Sequence, residues 1–287
     1  MHQGACMLTI LANAKLNLFL RVTGRRENGY HDLDMVMQSV DLSDTLYFEK
    51  SDEISIESDA LPLCKRAAEA FFAHTGIKGG VTIRIDKRIP FQAGLGGASA
   101  DAAATLAALM RLYETEIPEP ELMEIAVKLG ADVPFALTGG CRRASGIGEK
   151  LTPIVNAMQC VYLILKPDAG VCTASAFKLY DEHPSLTDMD SAQAAQSIER
   201  GDISAFSGIA FNALEQAASE LCPQIARILE YLKDKADVCF MTGSGSACVG
   251  IFRDESAAKK ALEGAGNMAS FSTIVRAAQS GYVISAV

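Results

Sequence analysis

The segment from Pro90 to Asp101 reads Pro-Phe-Gln-Ala-Gly-Leu-Gly-Gly-Ala-Ser-Ala-Asp and joins a predicted strand (81–85) to a predicted helix (98–113). Glycine lets the backbone adopt positive φ and approach a ligand closely. The first amides of the helix have no partner within it, and the helix dipole favours an anion there. The segment therefore predicts a phosphate-binding loop, although its spacing also fits a purely structural turn.

Two common nucleotide-binding motifs do not account for this loop. A P-loop ends in Gly-Lys followed by Ser or Thr, and the chain has no such triplet. A dinucleotide motif that starts at Gly94 would need glycine where Ser99 stands. Ser99 could bind phosphate or Mg²⁺, or it could cap the helix. Asp101 could bind a metal, or it could complement the helix dipole.

The composition describes an acidic protein with ample material for a core. Its 287 residues are 49% hydrophobic, and 26 basic against 35 acidic side chains give a formal net charge of -9. An acidic surface repels phosphate backbones, which argues against a nucleic-acid partner. No apolar run approaches the ~18 residues of a membrane span, and the apolar residues 7–14 lack the charged start of a signal peptide. The expected location is the cytoplasm, with no membrane partner.

The eight cysteines are scattered along the chain without any Cys-x-x-Cys pair. That spacing argues against a zinc site and against the disulfide framework of a secreted protein. In a reducing cytosol these cysteines are expected to behave as small, buried apolar residues.

Alternation of apolar and mostly polar residues predicts a strand near the start of the chain. Leucine or valine occupies each even position from 16 to 22, whereas the odd positions carry Lys15, Asn17, Phe19 and Arg21. The two sets should therefore lie on opposite faces. Strand and helix patterns follow, including one predicted helix over 209–221. A break near 153–158 predicts domains 1–155 and 156–287, each with helices packed on a sheet.

Three separated segments together resemble the GHMP kinase superfamily. They are Ala14-Lys-Leu-Asn-Leu-Phe-Leu-Arg-Val-Thr-Gly-Arg-Arg-Glu-Asn-Gly-Tyr-His31, Gly94-Leu-Gly-Gly-Ala-Ser-Ala-Asp-Ala-Ala103 and Met241-Thr-Gly-Ser-Gly-Ser-Ala-Cys-Val-Gly250. Within the superfamily, the run that ends in Gly29-Tyr30-His31 is similar to the diphosphocytidyl-methylerythritol kinases. Further matches at 129–134, 146–153 and 211–215 extend the resemblance over most of the chain.

The resemblance implies an α+β protein with the GHMP kinase fold. Its N-terminal, ATP-binding domain would resemble domain 2 of ribosomal protein S5, and its C-terminal domain would be ferredoxin-like, with the active site in the cleft between them. The implied reaction moves the γ-phosphoryl group of ATP, supplied with Mg²⁺, onto the 2-hydroxyl of the cytidine-diphosphate-linked methylerythritol. That step belongs to the non-mevalonate route to isoprenoid precursors. Neither the resemblance nor the residues determine the oligomeric state.

The catalytic pair implied by the resemblance is Lys15 and Asp132. Asp132 would accept the proton of the substrate hydroxyl, and Lys15 would keep that carboxylate ionised and offset charge on the transferred group. Without the resemblance, Asp132 would more simply cap the turn at Val133 and Pro134, and Lys15 would be a solvated strand residue.

The resemblance also implies two sets of binding residues. Those expected to bind ATP are Pro90, Phe91, Gln92, Ala93, Gly94, Leu95, Gly96, Gly97, Ala98, Ser99 and Ala100. Those expected to bind the substrate are Asn17, Tyr30, His31, Thr173, Phe177, Gly243, Ser244 and Gly245. Tyr30 and Phe177 would present aromatic faces to the cytosine, and His31 would bind its polar edge. Without the resemblance, Phe177 would be a core residue, and Tyr30 and His31 would close an ordinary loop.

The glycine loop departs from the superfamily pattern at three positions. Gln92 and Ala98 stand where glycine is usual, and Ala100 stands where serine is usual. If Gln92 has a positive φ, it costs on the order of 1 kcal/mol more than glycine. The departures therefore predict a weakened affinity for ATP or a shifted position of its phosphates.

Two competing functions are another GHMP kinase, acting on homoserine, mevalonate or a sugar, and a nucleotide-binding sensor without turnover. Gly29-Tyr30-His31 together with Asn17 argues against the first, because those relatives are not expected to share it. The presence of both Lys15 and Asp132 argues against the second, because a degenerate kinase has little reason to keep both.

Overall fold

Two long antiparallel strands form the centre of the protein. In the computed structural model, which describes residues 7–57 and 62–285, β1 runs over Leu8–Arg25 and β2 over His31–Ser51. Residues 12–20 of β1 are all buried. Burial of every residue is expected of a strand that is covered on both faces, and here it includes the polar residues Asn13, Lys15 and Asn17.

The predicted separation of the two faces of β1 is wrong beyond Asn17. A register shift between Asn17 and Phe19 marks an irregularity in the pairing with β2. As a result Phe19 joins Leu16 and Leu18 in one apolar cluster, whereas Leu20 packs into another. An extra residue in a strand reverses the alternation of side chains beyond it. When both faces are apolar, the sequence pattern does not reveal that reversal.

Within the described residues, the larger sheet has seven strands. Besides β1 and β2 these are β3 (Ser55–Ile56), β4 (Gly80–Asp86), β5 (Cys141–Gly146), β6 (Lys150–Ile154) and β11 (Tyr282–Ser285). The strand order is β11-β1-β2-β4-β3, and β5 pairs with both β2 and β6. β3 runs parallel to β4, and the other pairs are antiparallel.

One buried helix positions the glycine loop against this sheet. The helices of this half are α1 (Pro62–Thr75), α2 (Gly97–Leu112), α3 (Glu119–Leu129) and α4 (Val133–Thr138). Residues 100–109 of α2 are all buried, and α2 packs on β1 and against α1 and α4. A helix that is apolar on all sides belongs in a core. The start of α2 is therefore held firmly beside β1.

The smaller sheet consists of β7 (Val161–Lys166), β8 (Val238–Met241), β9 (Cys248–Phe252) and β10 (Phe271–Val275), in the antiparallel order β10-β7-β9-β8. The helices of this half are α5 (Thr173–Glu182), α6 (Ser191–Glu199), α7 (Ile203–Ser207), α8 (Glu215–Leu221), α9 (Gln224–Lys233) and α10 (Glu255–Ala265), followed by a short 3₁₀ helix, Gly266–Met268. Across residues 7–57 and 62–285, the helices are all too short or too polar to span a membrane.

The single helix predicted over 209–221 is wrong, because α8 begins only at Glu215. The chain before it is held against β1 by two backbone bonds, in which Leu20 donates to Phe211 and Ala213 donates to Leu20. The Asn212 side chain donates to the carbonyl oxygens of Met241 and Gly243 at 2.6 and 2.8 Å. These long-range bonds outweigh the local helical pattern, as tertiary contacts often do.

The predicted α+β class is confirmed by this mixture of two sheets and their helices. The division at 155 and 156 stays a prediction. The end of the chain crosses it, because β11 pairs with β1 in the larger sheet.

Most of the described cysteines are buried or half-buried and free, as predicted. Cys64, Cys141, Cys222 and Cys248 are buried, and burial raises the pKa of the Cys64 thiol to about 12. Cys172 differs, because it is exposed at the start of α5. Cys6 lies outside the described residues.

Candidate active site

A cavity of about 980 Å³ opens between the glycine loop, β1, the start of β2 and α5. All the residues predicted to be catalytic or to bind ATP or the substrate line it, except Ala100. The side chain of Ala100 lies in the apolar core, and its amide donates to the Gly96 carbonyl oxygen at 2.9 Å. Ala100 therefore supports the helix and does not face the cavity.

The fold brings Lys15 and Asp132 together although 117 residues separate them in sequence (132 − 15). Lys15 Nζ lies 3.7 Å from Asp132 Oδ2, and it also donates to Asn17 Oδ1. The Lys15 side chain is buried, whereas that of Asp132 is 33% exposed. Burial lowers the pKa of the Lys15 ammonium below its ordinary value, and the Asp132 carboxylate partly opposes that shift.

The Asp132 carboxylate is not used as a helix cap. Asp132 immediately precedes α4, but its side chain makes no capping hydrogen bond. An N-cap side chain would accept a bond from the second or third amide of the helix. The carboxylate is instead directed to the cavity and Lys15, which removes the simpler explanation for this residue.

Glycines leave room for the lysine. A Cβ atom at Gly96 would lie 2.9 Å from Lys15 Cγ, and one at Gly243 would lie 3.0 Å from Lys15 Nζ. Both glycines also have positive φ, 72° and 59°. Lys15 therefore lies against two glycine loops, at 94–97 and 243–246. A larger residue at Gly96 or Gly243 would require its neighbours to move.

The start of α2 is open towards an anion. Gly96 is its N-cap and makes no side-chain capping bond. Ser99 does not cap the helix, and its hydroxyl lies beside Gly130. Among the described residues, the amides of Gly97, Ala98 and Ser99 have no backbone acceptor. Such free amides at a helix N-terminus suit a phosphate group.

Backbone bonds hold the glycine loop on both sides. Lys15 donates its amide to the Leu95 carbonyl oxygen at 3.0 Å, and the amides of Ser246 and Ala247 donate to Gln92 and Ala93 at 3.1 Å. Gln92 adopts a φ of 51°, so the strained positive φ that its place in the loop suggested is present. These bonds attach the glycine loop to β1 and to the 243–246 loop.

Polar groups also line the cavity around Lys15 and the start of α5. The Asn17 amide donates to Thr242 Oγ1 at 2.8 Å, and the Asn17 side chain contacts Lys15. Thr173 Oγ1 and Ser244 Oγ share a hydrogen bond of 2.8 Å, which connects the start of α5 to the second glycine loop. These contacts place Asn17, Thr173 and Ser244 where they can bind hydroxyl or phosphate oxygens.

An aromatic cluster closes one end of the cavity. The His31 ring stacks on Phe177, with centroids 4.6 Å apart and ring planes 17° apart. Tyr30 is 57% exposed and lines the same cavity. Phe177 thus stacks on His31 and also lines the cavity. The cluster provides flat apolar surface and a polar nitrogen, the chemistry that suits a nucleobase.

Lys87 and Asp181 were not predicted as site residues, yet both line the cavity. Lys87 Nζ lies 2.5 Å from Asp44 and 2.7 Å from Asp101, and both carboxylates are buried. Burial raises the pKa of the Asp101 carboxyl to about 7, although Lys87 opposes this and Asp44 adds to it. Asp101 is therefore a buried partner of Lys87. In the sequence, Lys87 could have been recognised as a site residue only by its position between β4 and Pro90, just before the glycine loop.

Arg142 and Arg143 could face a diphosphate or solvent on sequence grounds, and the structure places neither in the cavity. Arg142 donates to the Gly139 carbonyl oxygen at 2.8 Å, and Arg143 donates to Ser191 Oγ at 3.0 Å. These bonds join β5 to neighbouring elements.

The chain is similar to known kinases over most of its length. Residues 62–140 match the family model for the GHMP kinases N terminal domain, and residues 194–269 match that for GHMP kinases C terminal. A 4-diphosphocytidyl-2-C-methyl-D-erythritol kinase of Desulfitobacterium hafniense is 40% identical over 88% of this chain and 89% of its own length. One of Polaromonas naphthalenivorans is 42% identical over 83% of each chain.

Solved structures show the same similarity. A 4-(cytidine 5'-diphospho)-2C-methyl-D-erythritol kinase is 32% identical, with a TM-score of 0.79 over 93% of this chain and 98% of its own. A homoserine kinase from Cytophaga hutchinsonii has the same TM-score at 18% identity, which shows only a shared fold. At these identities and coverages, the chain belongs to the 4-diphosphocytidyl-2-C-methyl-D-erythritol kinase family, a group of ATP-dependent small-molecule kinases with the GHMP kinase fold.

Proposed function

We propose that this chain transfers the γ-phosphoryl group of ATP to the 2-hydroxyl of 4-diphosphocytidyl-2-C-methyl-D-erythritol. The observation that carries the proposal is the Lys15–Asp132 pair, 3.7 Å apart beside the open N-terminus of α2. The start of α2 supplies amides for phosphate, and Asp132 supplies a base. The substrate is inferred from the relatives and from the aromatic cluster, which suits a cytosine.

The proposed transfer proceeds by in-line displacement. The hydroxyl oxygen attacks the γ-phosphorus, its proton moves to the Asp132 carboxylate, and the bond to the β-phosphate oxygen breaks, so that ADP leaves with the bonding electrons. A positioned general base typically contributes about 10²–10⁴-fold. The Lys15 ammonium lies beside Asp132 and offsets negative charge that spreads over the transferred group.

The residues present fit an Mg²⁺ ion that enters with ATP. Mg²⁺ in kinases is held mainly by phosphates and water, with one or two protein oxygens. The described residues contain no cluster of three or more acidic, histidine or cysteine side chains that would hold a metal alone. Ser99 lines the cavity beside the open start of α2 and is the residue that would hold the ion. When bound, Mg²⁺ neutralises charge on the β- and γ-phosphates.

The competing kinase functions are less well supported by the cavity. Homoserine and mevalonate carry no ring, and a site for them has no need of an aromatic cluster. Here Tyr30, His31 and Phe177 all line the cavity. We further propose that the enzyme acts in the cytoplasm, where ATP is supplied.

A coupled assay of ADP release tests the proposal. The purified protein would be given Mg·ATP with 4-diphosphocytidyl-2-C-methyl-D-erythritol, homoserine or mevalonate in parallel. We expect turnover with the cytidine-linked alcohol alone, and phosphorus NMR should place the new phosphate on the 2-hydroxyl. Turnover with another alcohol, or with none, would overturn the proposal.

A further inference from the structure

One carboxylate outside the predicted site contacts a predicted base-binding residue. His31 Nε2 lies 2.7 Å from Asp181 Oδ1, although the two residues are 150 positions apart. His31 begins β2 in the larger sheet, and Asp181 lies in the last turn of α5. The His31 side chain is 7% exposed and that of Asp181 is 25% exposed, so the bond is largely shielded from water.

Three residues of α5 surround the same imidazole. Phe177 stacks on its face at 4.6 Å, and Tyr180 meets it edge-on at 6.4 Å and 85°. Asp181 follows Phe177 by four positions, which places both on one face of the helix. The second oxygen of Asp181 lies 3.2 Å from Arg25. Phe177 and Tyr180 thus fix the plane of the imidazole ring, and Asp181 fixes the nitrogen that faces α5.

The contact determines which ring nitrogen carries hydrogen. An ionised carboxylate only accepts hydrogen bonds, so the nitrogen that faces it, Nε2, must be the donor. In the neutral imidazole the other nitrogen, Nδ1, is then an acceptor. Among the described residues Nδ1 has no hydrogen-bond partner, and His31 lines the cavity.

An acceptor at this place distinguishes two pyrimidines. Cytosine presents an amino group at position 4, which donates hydrogen bonds, whereas uracil presents a carbonyl oxygen there, which only accepts. An Nδ1 lone pair attracts the first and repels the second. We infer that Asp181 is a positioning residue, which selects cytidine over uridine nucleotides by holding His31 as the Nε2–H tautomer. This inference rests on the proposed function, since it presumes that the aromatic cluster binds the base.

Binding of free CDP and UDP, measured by calorimetry, tests the inference without requiring turnover. The wild type should bind CDP more tightly than UDP. Asp181→Ala should lower that preference about tenfold, the usual size of one base-specific contact. Glu182→Ala is the matched control, because it removes the adjacent exposed carboxylate of the same helix. It should leave the preference within about twofold of wild type.

Nitrogen-15 NMR of the imidazoles gives a second readout that does not depend on how Asp181→Ala folds. The His31 signals are assigned by their loss in His31→Gln, and in the wild type the proton should reside on Nε2. A proton on Nδ1 would overturn the inference, as would an unchanged preference in Asp181→Ala. A wild type that phosphorylates the cytidine-linked alcohol but binds CDP and UDP equally would also overturn it. That last result would leave the proposed function intact, whereas absence of turnover would count against the proposed function itself.

Discussion

At the scale of single residues, the site depends on one lysine in an unusual environment. Lys15 is buried against two glycine loops, and Asp132 only partly compensates the loss of water. A buried ammonium titrates below the ordinary lysine range. The same burial strengthens its field at the transferred phosphoryl group, because few water molecules lie nearby to screen it.

The first prediction concerns the alkaline limb of activity. Because the Lys15 pKa is lowered by burial, kcat/KM should decline with a midpoint below 10.5, the ordinary value for lysine. The ammonium is the form that offsets charge, so activity is present below this midpoint and lost above it. Initial rates at saturating Mg·ATP across pH 7–11 check this prediction, because that range extends to both sides of the ordinary lysine pKa. A rate that stays constant through the ordinary lysine pKa would contradict it.

The second prediction concerns Gln92, whose positive φ is strained. Gln92→Gly should relieve on the order of 1 kcal/mol of strain and lower KM for ATP, since the loop then reaches its ligand-binding shape more easily. Glu114→Gly is the matched control, because Glu114 also has positive φ, 48°, but does not line the cavity. Both variants should unfold at a higher denaturant concentration than wild type, and only Gln92→Gly should change KM for ATP. Identical KM values for wild type and Gln92→Gly would refute the prediction.

At the scale of elements, the sequence predicted α2 and the glycine loop well. The alanine-rich apolar pattern of α2 and the glycines before it are local signals, and the helix begins one residue before the predicted start. The helix predicted over 209–221 was wrong, because Asn212 and its neighbours bond to β1 and to the 241–243 segment. Such long-range bonds leave no periodic trace in the sequence.

The third prediction tests the fit between the loop and Lys15. Gly96→Ala adds a methyl group 2.9 Å from Lys15 Cγ at a φ of 72°, so Lys15 must move. We expect kcat to fall at least about tenfold, because catalysis is sensitive to displacements of about 1 Å. Steady-state kinetics check this.

Gly76→Ala is the control for that prediction. Gly76 has a similar φ of 69°, and an added methyl group there meets nothing within 4 Å. Both variants should lose about 1–2 kcal/mol of stability, the usual cost of this backbone conformation. If the two variants keep equal kcat, the proposed role of Gly96 in positioning Lys15 is wrong.

At the scale of the whole molecule, the proposed active site is assembled from distant segments. Lys15 comes from β1, Asp132 from the start of α4, and Phe177 from α5. Residue patterns alone could not bring these together, and the family resemblance identified them. That resemblance did not include Asp181 or Lys87, whose contacts, Asp181 with His31 and Lys87 with Asp44 and Asp101, join separate elements.

The fourth prediction concerns stability and the buried ion pairs that join β2, β4 and α2. The Asp101 pKa is raised to about 7 by burial, so the folded state favours its protonated form. The stability this provides is present at acid pH and is lost as pH rises through about 7. The side chain at this position does not titrate in Asp101→Asn. From pH 4 to 8, the free energy of unfolding of Asp101→Asn should therefore rise relative to that of wild type by about 1 kcal/mol or more.

Urea unfolding at several pH values measures this difference. Asp188→Asn is the control, because Asp188 is exposed and has no ion pair among residues 7–57 and 62–285. Its stability should follow wild type at every pH. Parallel curves for Asp101→Asn and wild type would show that Asp101 is ionised in the folded state throughout this range.

The most direct test of the account compares turnover and substrate binding in Asp132→Ala. We predict that kcat of Asp132→Ala with the cytidine-linked alcohol falls about 10²–10⁴-fold, the usual contribution of a positioned base. The dissociation constant for CDP should stay within about threefold of wild type, because the proposed role of Asp132 is in proton transfer and not in binding the cytidine. Undiminished kcat in a folded Asp132→Ala protein would contradict the central claim that this carboxylate accepts the hydroxyl proton.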